Sequence, residues 1–320
     1  MTKVSYAGSS ADAPTVRQSL THLAVLTEVT EVEVRNLSEF DFDDACAACL
    51  TTLDNVEELW LCGDKNLTAS GFRHLLRPKL RLICLDEANL QGLALSDAVW
   101  PKSLETVFLN ECRNLSGQAF AQMLQPGLIQ ISADAAEFTD DDLVGVQAPP
   151  SLQDVQLTNA KHLGARGLAP LLGPGLEDLF LEGADLTDAD VHSLPLPSSL
   201  DSLCLVPCER LTNSSVQHIV TSCPNLGFLS LGSLALDDSV VEILAGPLKG
   251  ANVGVYLSSP RLSIAALKTL SAALGPNSNV QLEQSDGGHI RFEKGEITWP
   301  FELRTRRPPA TQPQPNGAVP

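Results

Sequence analysis

An apolar triplet with the spacing i, i+3, i+5 recurs along most of this 320-residue chain. Val56, Leu59 and Leu61 form one copy, and the next copy follows 24 residues later. Seven copies in a row keep this step, and their third residues are Leu61, Leu85, Leu109, Ala133, Leu157, Leu181 and Leu205. Looser copies end at Val34, Leu231, Leu257 and Leu282. A fixed period of this kind indicates stacked repeats, because each unit must bury the same apolar edge against its neighbours.

The second half of each repeat predicts a short helix. Apolar residues at helical spacing follow the triplet, as Phe72 and Leu75 do in one copy. The expected N-caps are Thr68, Ser116, Thr139, Thr187, Thr212 and Ser263. A proline then ends most helices before the next triplet. From Leu61 to Leu205, the spacing from the third triplet residue to the next Leu or Phe alternates between six and five residues, which predicts a 48-residue doublet of a long and a short repeat.

These two halves together predict an α/β solenoid. Each repeat supplies one short strand and one short helix, and neither can bury its apolar side alone. Stacking about ten repeats makes a parallel sheet on the concave side of a horseshoe, with the helices on the convex side only. At about 4.8 Å per strand, such a sheet is about 45 Å long.

Two segments resemble a known repeat family. Residues 223–231, CPNLGFLSL, and residues 109–116, LNECRNLS, are similar to the cysteine-containing leucine-rich repeats of F-box leucine-rich-repeat substrate receptors. The wider pattern resembles leucine-rich repeats in general, including the ribonuclease-inhibitor-like horseshoes, with Ala or Cys at the usual Asn/Cys position. The resemblance covers residues 29–283 and implies a horseshoe that binds other proteins.

The segments outside the leucine-rich repeats are predicted to cap them. In the N-terminal segment, residues 1–28, an amphipathic pattern over 15–26 predicts a capping helix. Residues 284–303 predict a capping hairpin, in which Ile290 and Phe292 face Trp299 and Ile297 across a Lys-Gly turn. Residues 304–320 are rich in proline and lack apolar periodicity, which predicts a disordered tail.

The charge of the chain restricts its partners. Lys and Arg number 21 against 39 Asp and Glu, so the net charge is −18. We therefore expect no binding to nucleic acid, whose phosphates require clustered cations, and no docking on an anionic membrane. The sequence contains no run of about 18 apolar residues, so no membrane-spanning helix is predicted. The eight cysteines lie mostly in apolar runs, which favours free thiols in a cytoplasmic protein, while the oligomeric state stays open.

No motif in the sequence predicts catalysis, a metal site or a cofactor site. Cys46 and Cys49 are spaced like a redox or metal pair, but no further ligands accompany them, and we interpret them as one buried helix face. Three of the six histidines, His74, His192 and His218, occupy comparable positions and are expected to be exposed on the convex helices. No nucleophile–base set or glycine-rich phosphate loop is visible. The chain is therefore predicted not to be an enzyme.

One row of side chains is the candidate binding site. Because strand side chains alternate between faces, the residue between the second and third triplet positions must point away from the core. Four such residues are aromatic: Trp60, Phe108, Phe180 and Tyr256. Phe228, two residues before Ser230, is on the same face. The flanking acidic positions include Glu58, Asp86, Asp134, Asp178 and Glu182. An apolar row with an acidic rim predicts a protein partner that has basic margins. The alternative is that the aromatic residues only pack against one another, because strands favour aromatic residues in any case.

Three functions are compatible with this pattern. The first is a non-catalytic protein–protein interaction scaffold, free-standing or part of a larger assembly, that binds through the concave sheet face. The second, implied by the F-box resemblance, is a substrate-recognition module of a ubiquitin ligase in which the F-box is absent or on another chain. The third, implied by the ribonuclease-inhibitor-like resemblance, is an inhibitor or regulator of a basic enzyme.

Overall fold

The computed structural model of this chain describes residues 2–7, 21, 28–35, 43–61, 67–90, 98–283, 289–293 and 296–298. Within them, one sheet of fourteen strands follows the order of the chain, and each strand pairs with the next. The strands are Thr2–Ala7 (β1), Val29–Arg35 (β2), Glu58–Leu61 (β3), Leu82–Cys84 (β4), Thr106–Leu109 (β5), Gln130–Asp134 (β6), Asp154–Thr158 (β7), Asp178–Glu182 (β8), Ser202–Val206 (β9), Phe228–Gly232 (β10), Gly254–Ser258 (β11), Asn279–Glu283 (β12), His289–Glu293 (β13) and Glu296–Thr298 (β14). Strands β1 to β12 run parallel, slightly more than the ten predicted.

The apolar triplets set the register of the parallel strands. The second residue of each triplet pairs with the second residue of the next, as Leu59 does with Ile83 and Leu179 does with Leu203. These side chains are almost completely buried in one continuous core. A shift of one residue would turn the whole leucine set to the solvent face, so the register is strongly specified. The predicted alignment of the repeats is confirmed from β2 to β12.

Short helices form the second layer, on the other side of this core. The described residues contain Asp44–Cys49 (α1), Ala69–Leu75 (α2), Gly117–Met123 (α3), Asp140–Leu143 (α4), Ala165–Leu168 (α5), Asp188–Ser193 (α6), Asn213–Ser222 (α7), Val240–Ala245 (α8) and Ile264–Ala273 (α9). All six predicted N-caps precede a helix, and Ser116 Oγ, for example, accepts the Ala119 N–H at 3.1 Å. Residues 91–97, where one more helix is predicted, lie outside the described residues. None of the described helices combines the length and hydrophobicity that a bilayer-spanning segment needs.

An aspartate at or just before the start of one helix caps the next helix at several points along the stack. The carboxylate of Asp188 in α6 accepts the Thr212 N–H at 2.9 Å, the Thr212 hydroxyl at 2.6 Å and the Ser215 hydroxyl, all at the start of α7. Three more aspartates make the same kind of contact: Asp44, Asp140 and Asp238. The step from Asp140 to Asp188 is the 48 residues of the predicted doublet. The doublet therefore has a structural counterpart, because one repeat of the pair supplies a carboxylate and the following repeat receives it.

Close approach of these carboxylates requires a small residue in the receiving helix. Gly71 and Gly167 are the third residues of α2 and α5. A Cβ atom at Gly71 would lie 2.1 Å from Asp44 Oδ1, and one at Gly167 would lie 2.5 Å from Asp140 Oδ1. Any side chain at either glycine would therefore displace the capping carboxylate.

The two ends of the sheet add strands to the repeats. Strand β1 pairs in parallel with β2, and the sequence pattern does not predict it because TKVSYA contains no leucine triplet. At the other end, β13 runs antiparallel to β12 and β14, and Phe292 pairs with Ile297. Ile290 and Phe292 are buried. Of the predicted helix 15–26, only Thr21 is among the described residues, and it is helical. Trp299 and the tail 304–320 also lie outside the described residues. The domain boundaries therefore stay a prediction.

Candidate protein-binding surface

The sheet face that points away from the helices, called the concave face below, carries the candidate site. Its central row follows the strand pairing residue by residue and consists of Glu33, Trp60, Cys84, Phe108, Ser132, Gln156, Phe180, Cys204, Ser230, Tyr256 and Gln281. A first row lies two residues earlier on each strand and a third row two residues later, because alternate side chains share a face. The row order inferred from the sequence is thus the order in space.

The central row is more buried than predicted. Phe108 and Tyr256 are each only 9% exposed, so the prediction that they face solvent is wrong. Trp60 and Phe108 lie two strands apart and close over the intervening Cys84, with ring centroids 6.1 Å apart and planes at 30°. Because strands are about 4.8 Å apart, a large side chain covers a small neighbour. For Trp60 and Phe108, mutual packing is therefore the observed arrangement.

Tyr256 is enclosed by the C-terminal part of the sheet. Its row neighbours on the adjacent strands are Ser230 and Gln281, which are themselves buried. Burial raises the pKa of the Tyr256 hydroxyl, and the neighbouring Glu283 carboxylate raises it further. This phenol is therefore neutral at physiological pH and belongs to the framework of the face.

Phe180 on β8 and Phe228 on β10 are both half-buried, as Trp60 is, whereas Phe108 and Tyr256 are buried. The Phe228 ring lies over the neighbouring strand, where a Cβ atom at Gly254 would be 3.1 Å from Phe228 Cδ2. On β8, Asp178 and Glu182 flank Phe180 at two residues on either side, so all three side chains project from the same face. Strand β8 therefore presents an aromatic ring between two carboxylates, and a second ring lies two strands away on β10.

The other predicted acidic residues are held by bonds within the protein. Glu58 accepts the Trp60 indole N–H at 3.3 Å. Asp86 accepts the backbone and side-chain N–H groups of Asn110, at 2.9 and 3.2 Å. Asp134 accepts the Asn159 amide at 2.8 Å. These carboxylates order loops and side chains, whereas Asp178 and Glu182 form no ion pair with a cation among the described residues.

Asp154, in the first row beside Asp178, is a further acidic residue of the predicted rim, and it is half-buried rather than exposed. Gln130 donates to Asp154 Oδ2 at 2.7 Å, and Gln156 donates to Oδ1 and Oδ2 at 3.2 and 3.1 Å. Burial raises the pKa of Asp154 to about 6, and the negative charge of Asp178 adds to this rise, while the two glutamine amides oppose it. The centre of the concave face therefore holds a carboxylate that is costly to ionise.

Replacement of Asp154 should stabilise the protein at neutral pH. Because the folded-state pKa lies above the unfolded value, the unfolding free energy falls as pH rises towards and through about 6. We expect Asp154→Asn to raise the unfolding free energy by about 1 kcal/mol at pH 7.5, after allowance for solvent screening, and to have little effect at pH 4. Urea denaturation at both pH values measures this, with the exposed Glu177→Gln as control. A loss of stability at pH 7.5 would contradict it.

The convex side contains a histidine pair that was not predicted from the sequence. His192 on α6 and His218 on α7 have ring centroids 5.0 Å apart and line a shallow depression of about 500 Å³. His192 is exposed as expected, but His218 Nε2 is buried and has no hydrogen-bond partner among the described residues. Burial lowers the pKa of His218, and His192 lowers it further. Their 26-residue separation, one repeat, is the sequence signal that could have predicted this contact.

The cysteines of the described residues lie within the scaffold. Cys46 is buried and Cys49 half-buried, so the predicted buried helix face holds in full only for Cys46. The thiols of Cys112 and Cys208 donate to the Leu85 and Ala184 carbonyl oxygens, at 3.1 and 3.2 Å. Burial raises the pKa of Cys208 to about 12. In the part of the chain that the structure describes, no three His, Cys, Asp or Glu side chains are grouped as a metal site requires.

Comparisons with known proteins show similarity of fold. No protein-family model and no curated protein matches the sequence. The structure is similar to Rad7 in the yeast complex of Rad7 and Elc1, with a TM-score of 0.55 and 16% identity, over 88% of this chain and 68% of that one. It is also similar to RP105 in the mouse RP105/MD-1 complex, with a TM-score of 0.52 and 16% identity, over 79% of this chain. This match spans 43% of the mouse chain, less than half of its length. Both are leucine-rich-repeat proteins.

Proposed function

Because the chain folds as a leucine-rich-repeat solenoid, we propose that it is a non-catalytic protein–protein interaction scaffold whose partner docks on the concave face around β8. The observation that carries this proposal is the arrangement of Asp178, Phe180 and Glu182 on one strand, with Phe228 two strands away on β10. Half-buried aromatic rings supply contact area at low entropic cost, and carboxylates at their margin select the partner. Phe108 and Trp60 extend the same face, about 14 Å and about 24 Å from Phe180 along the sheet.

The chemistry of this surface favours a partner with an apolar centre and a basic margin. Residues 1–288 hold 16 Lys and Arg against 36 Asp and Glu, so the field of the solenoid attracts cations. Rad7 and RP105 were each crystallised with a second protein, Elc1 and MD-1, and a protein partner is proposed here by analogy. The cysteines of the described residues are mostly buried, which fits a reducing compartment, and we propose the cytoplasm.

A second candidate function is regulation of a basic enzyme. The net charge of −18 supports it, because a strongly acidic horseshoe would bind a basic enzyme over a wide area and could cover its active site. Loss of the captured enzyme's activity in the presence of the chain would favour this function over that of a passive scaffold.

Affinity capture with a matched set of variants tests the docking site. The full chain is used as bait, captured proteins are identified by mass spectrometry, and binding of the main one is measured with Phe180→Ala and Phe228→Ala combined. We expect at least tenfold weaker binding, about 1.4 kcal/mol, because both rings lie at the centre of the surface. The melting temperature should change by only a few degrees, since both side chains are half-buried.

The control removes the same kind of apolar surface elsewhere. Val144 and Ile264 are 51% and 44% exposed; Val144 follows helix α4 and Ile264 begins helix α9, both on the other side of the core. Val144→Ala combined with Ile264→Ala should leave partner binding unchanged. Equal binding by both double variants would place the docking site outside the β8 region and refute the proposal.

A further inference from the structure

The chain leaves the described sheet at the same edge as the acidic end of the concave face. Strand β13 is antiparallel to β12, and β14 is antiparallel to β13, so β14 points in the same direction as β12 and β8. Thr298 therefore lies at the edge of the sheet where Glu182 and Glu283 end their strands. Thr298, the last described residue, is therefore at the edge from which a C-terminal segment could reach the concave face.

The first cations after Thr298 are three arginines in four residues, Arg304, Arg306 and Arg307. They are three of the five Lys and Arg residues in 289–320. Residues 1–288, by contrast, have a net charge of −20. Elsewhere on the solenoid, exposed cations take exposed acids as partners, as Arg210 does with Asp185 at 3.1 Å. The carboxylates of Asp178 and Glu182 have no such partner among the described residues.

The arginines can reach these carboxylates. Strands β14 and β8 are six strand spacings apart, about 29 Å. An extended chain advances at most about 3.3–3.6 Å per residue, so the eight residues from Thr298 to Arg306 span up to about 29 Å. Two prolines follow Arg307 in the sequence, and a proline disfavours the helical conformation of the residue before it.

We propose that residues 304–307, RTRR, dock on the concave face of their own chain, with Arg306 and Arg307 beside Asp178 and Glu182. A guanidinium plane pairs with a carboxylate and stacks on an aromatic ring, and Phe180 lies between the two acids. Docked in this way, the segment occupies the surface proposed for the partner, and a partner must displace it. The inference concerns contact within the chain and requires no partner, so it and the proposed function can fail separately.

Carbodiimide cross-linking of the full chain tests this contact. The reagent joins a lysine amine to a carboxylate without a spacer, so Arg306→Lys and Arg307→Lys convert the segment into a reactive probe that keeps its charge. Tryptic peptides of the monomer should then link residue 306 or 307 to Asp178 or Glu182. We expect a yield at least fivefold above that for Glu87 and Glu111, which are exposed near the more distant strands β4 and β5.

Salt and acid-side variants provide the controls. At 0.5 M NaCl the screening length is about 4 Å, and the yield should fall at least fivefold. Asp178→Asn combined with Glu182→Gln should remove the links while the melting temperature stays within a few degrees. Equal yields at Glu87 and Glu182 would overturn the proposal. So would links found only in covalent dimers, because the occupant would then be a second copy of the chain.

Discussion

Truncation of Leu181 to alanine should lower the free energy of unfolding by about 2–5 kcal/mol, one of the two largest effects expected for this chain. Leu181 is the third residue of a triplet, pairs with Leu157 and Leu205 on the neighbouring strands, and is completely buried. Its removal leaves a cavity in the middle of the stack, where each repeat is supported only by its neighbours. Urea denaturation followed by circular dichroism measures the change.

Phe180→Ala, one residue earlier on the same strand, is the matched control. Its half-buried side chain lies on the opposite face of the sheet, so we expect a loss of about 1 kcal/mol. Equal destabilisation by the two variants would mean that Phe180 belongs to the core. In that case the docking variants could not separate binding from folding.

Asp188→Ala should lower the free energy of unfolding by about 2–3 kcal/mol, although the residue lies near the surface. Its carboxylate accepts two bonds from Thr212 and one from Ser215, and hydrogen bonds to a charged group are worth about 1.5–3 kcal/mol each but do not add fully. Without it, the first turn of α7 loses its cap from the preceding repeat. The control is Asp185→Ala in the same repeat, which removes only an exposed ion pair with Arg210 and should change stability by no more than about 1 kcal/mol.

The effect of Asp188→Ala should also depend on pH. Burial by itself would raise the pKa of Asp188, but the hydrogen bonds from Ser215 and Thr212 outweigh it and lower the pKa. A folded-state pKa below the unfolded value means that the stabilisation is present above about pH 4 and is lost as pH falls further. Denaturation curves at pH 7 and pH 3 test this, and an Asp188→Ala effect that is the same at both would contradict it.

The periodic part of the fold was predictable from sequence because it depends on short-range spacing. Leucines at i, i+3 and i+5 fix which side chains are buried, and burial fixes the parallel register, so the order of the central row from Glu33 to Gln281 could be derived without coordinates. The helix starts were predictable from Ser and Thr caps for the same reason, because a cap and the backbone N–H from which it accepts a hydrogen bond lie two or three residues apart.

Only the tertiary structure decided which members of the row are accessible. Exposure of Trp60, Phe108 or Tyr256 depends on side chains one and two strands away, and the size of those neighbours, not the alternation along a strand, determines what each ring covers. The same holds for Asp188 and for the His192–His218 pair, whose contacts cross from one repeat to the next. A repeat period specifies which positions become neighbours, but the contacts between them depend on the particular side chains that meet there.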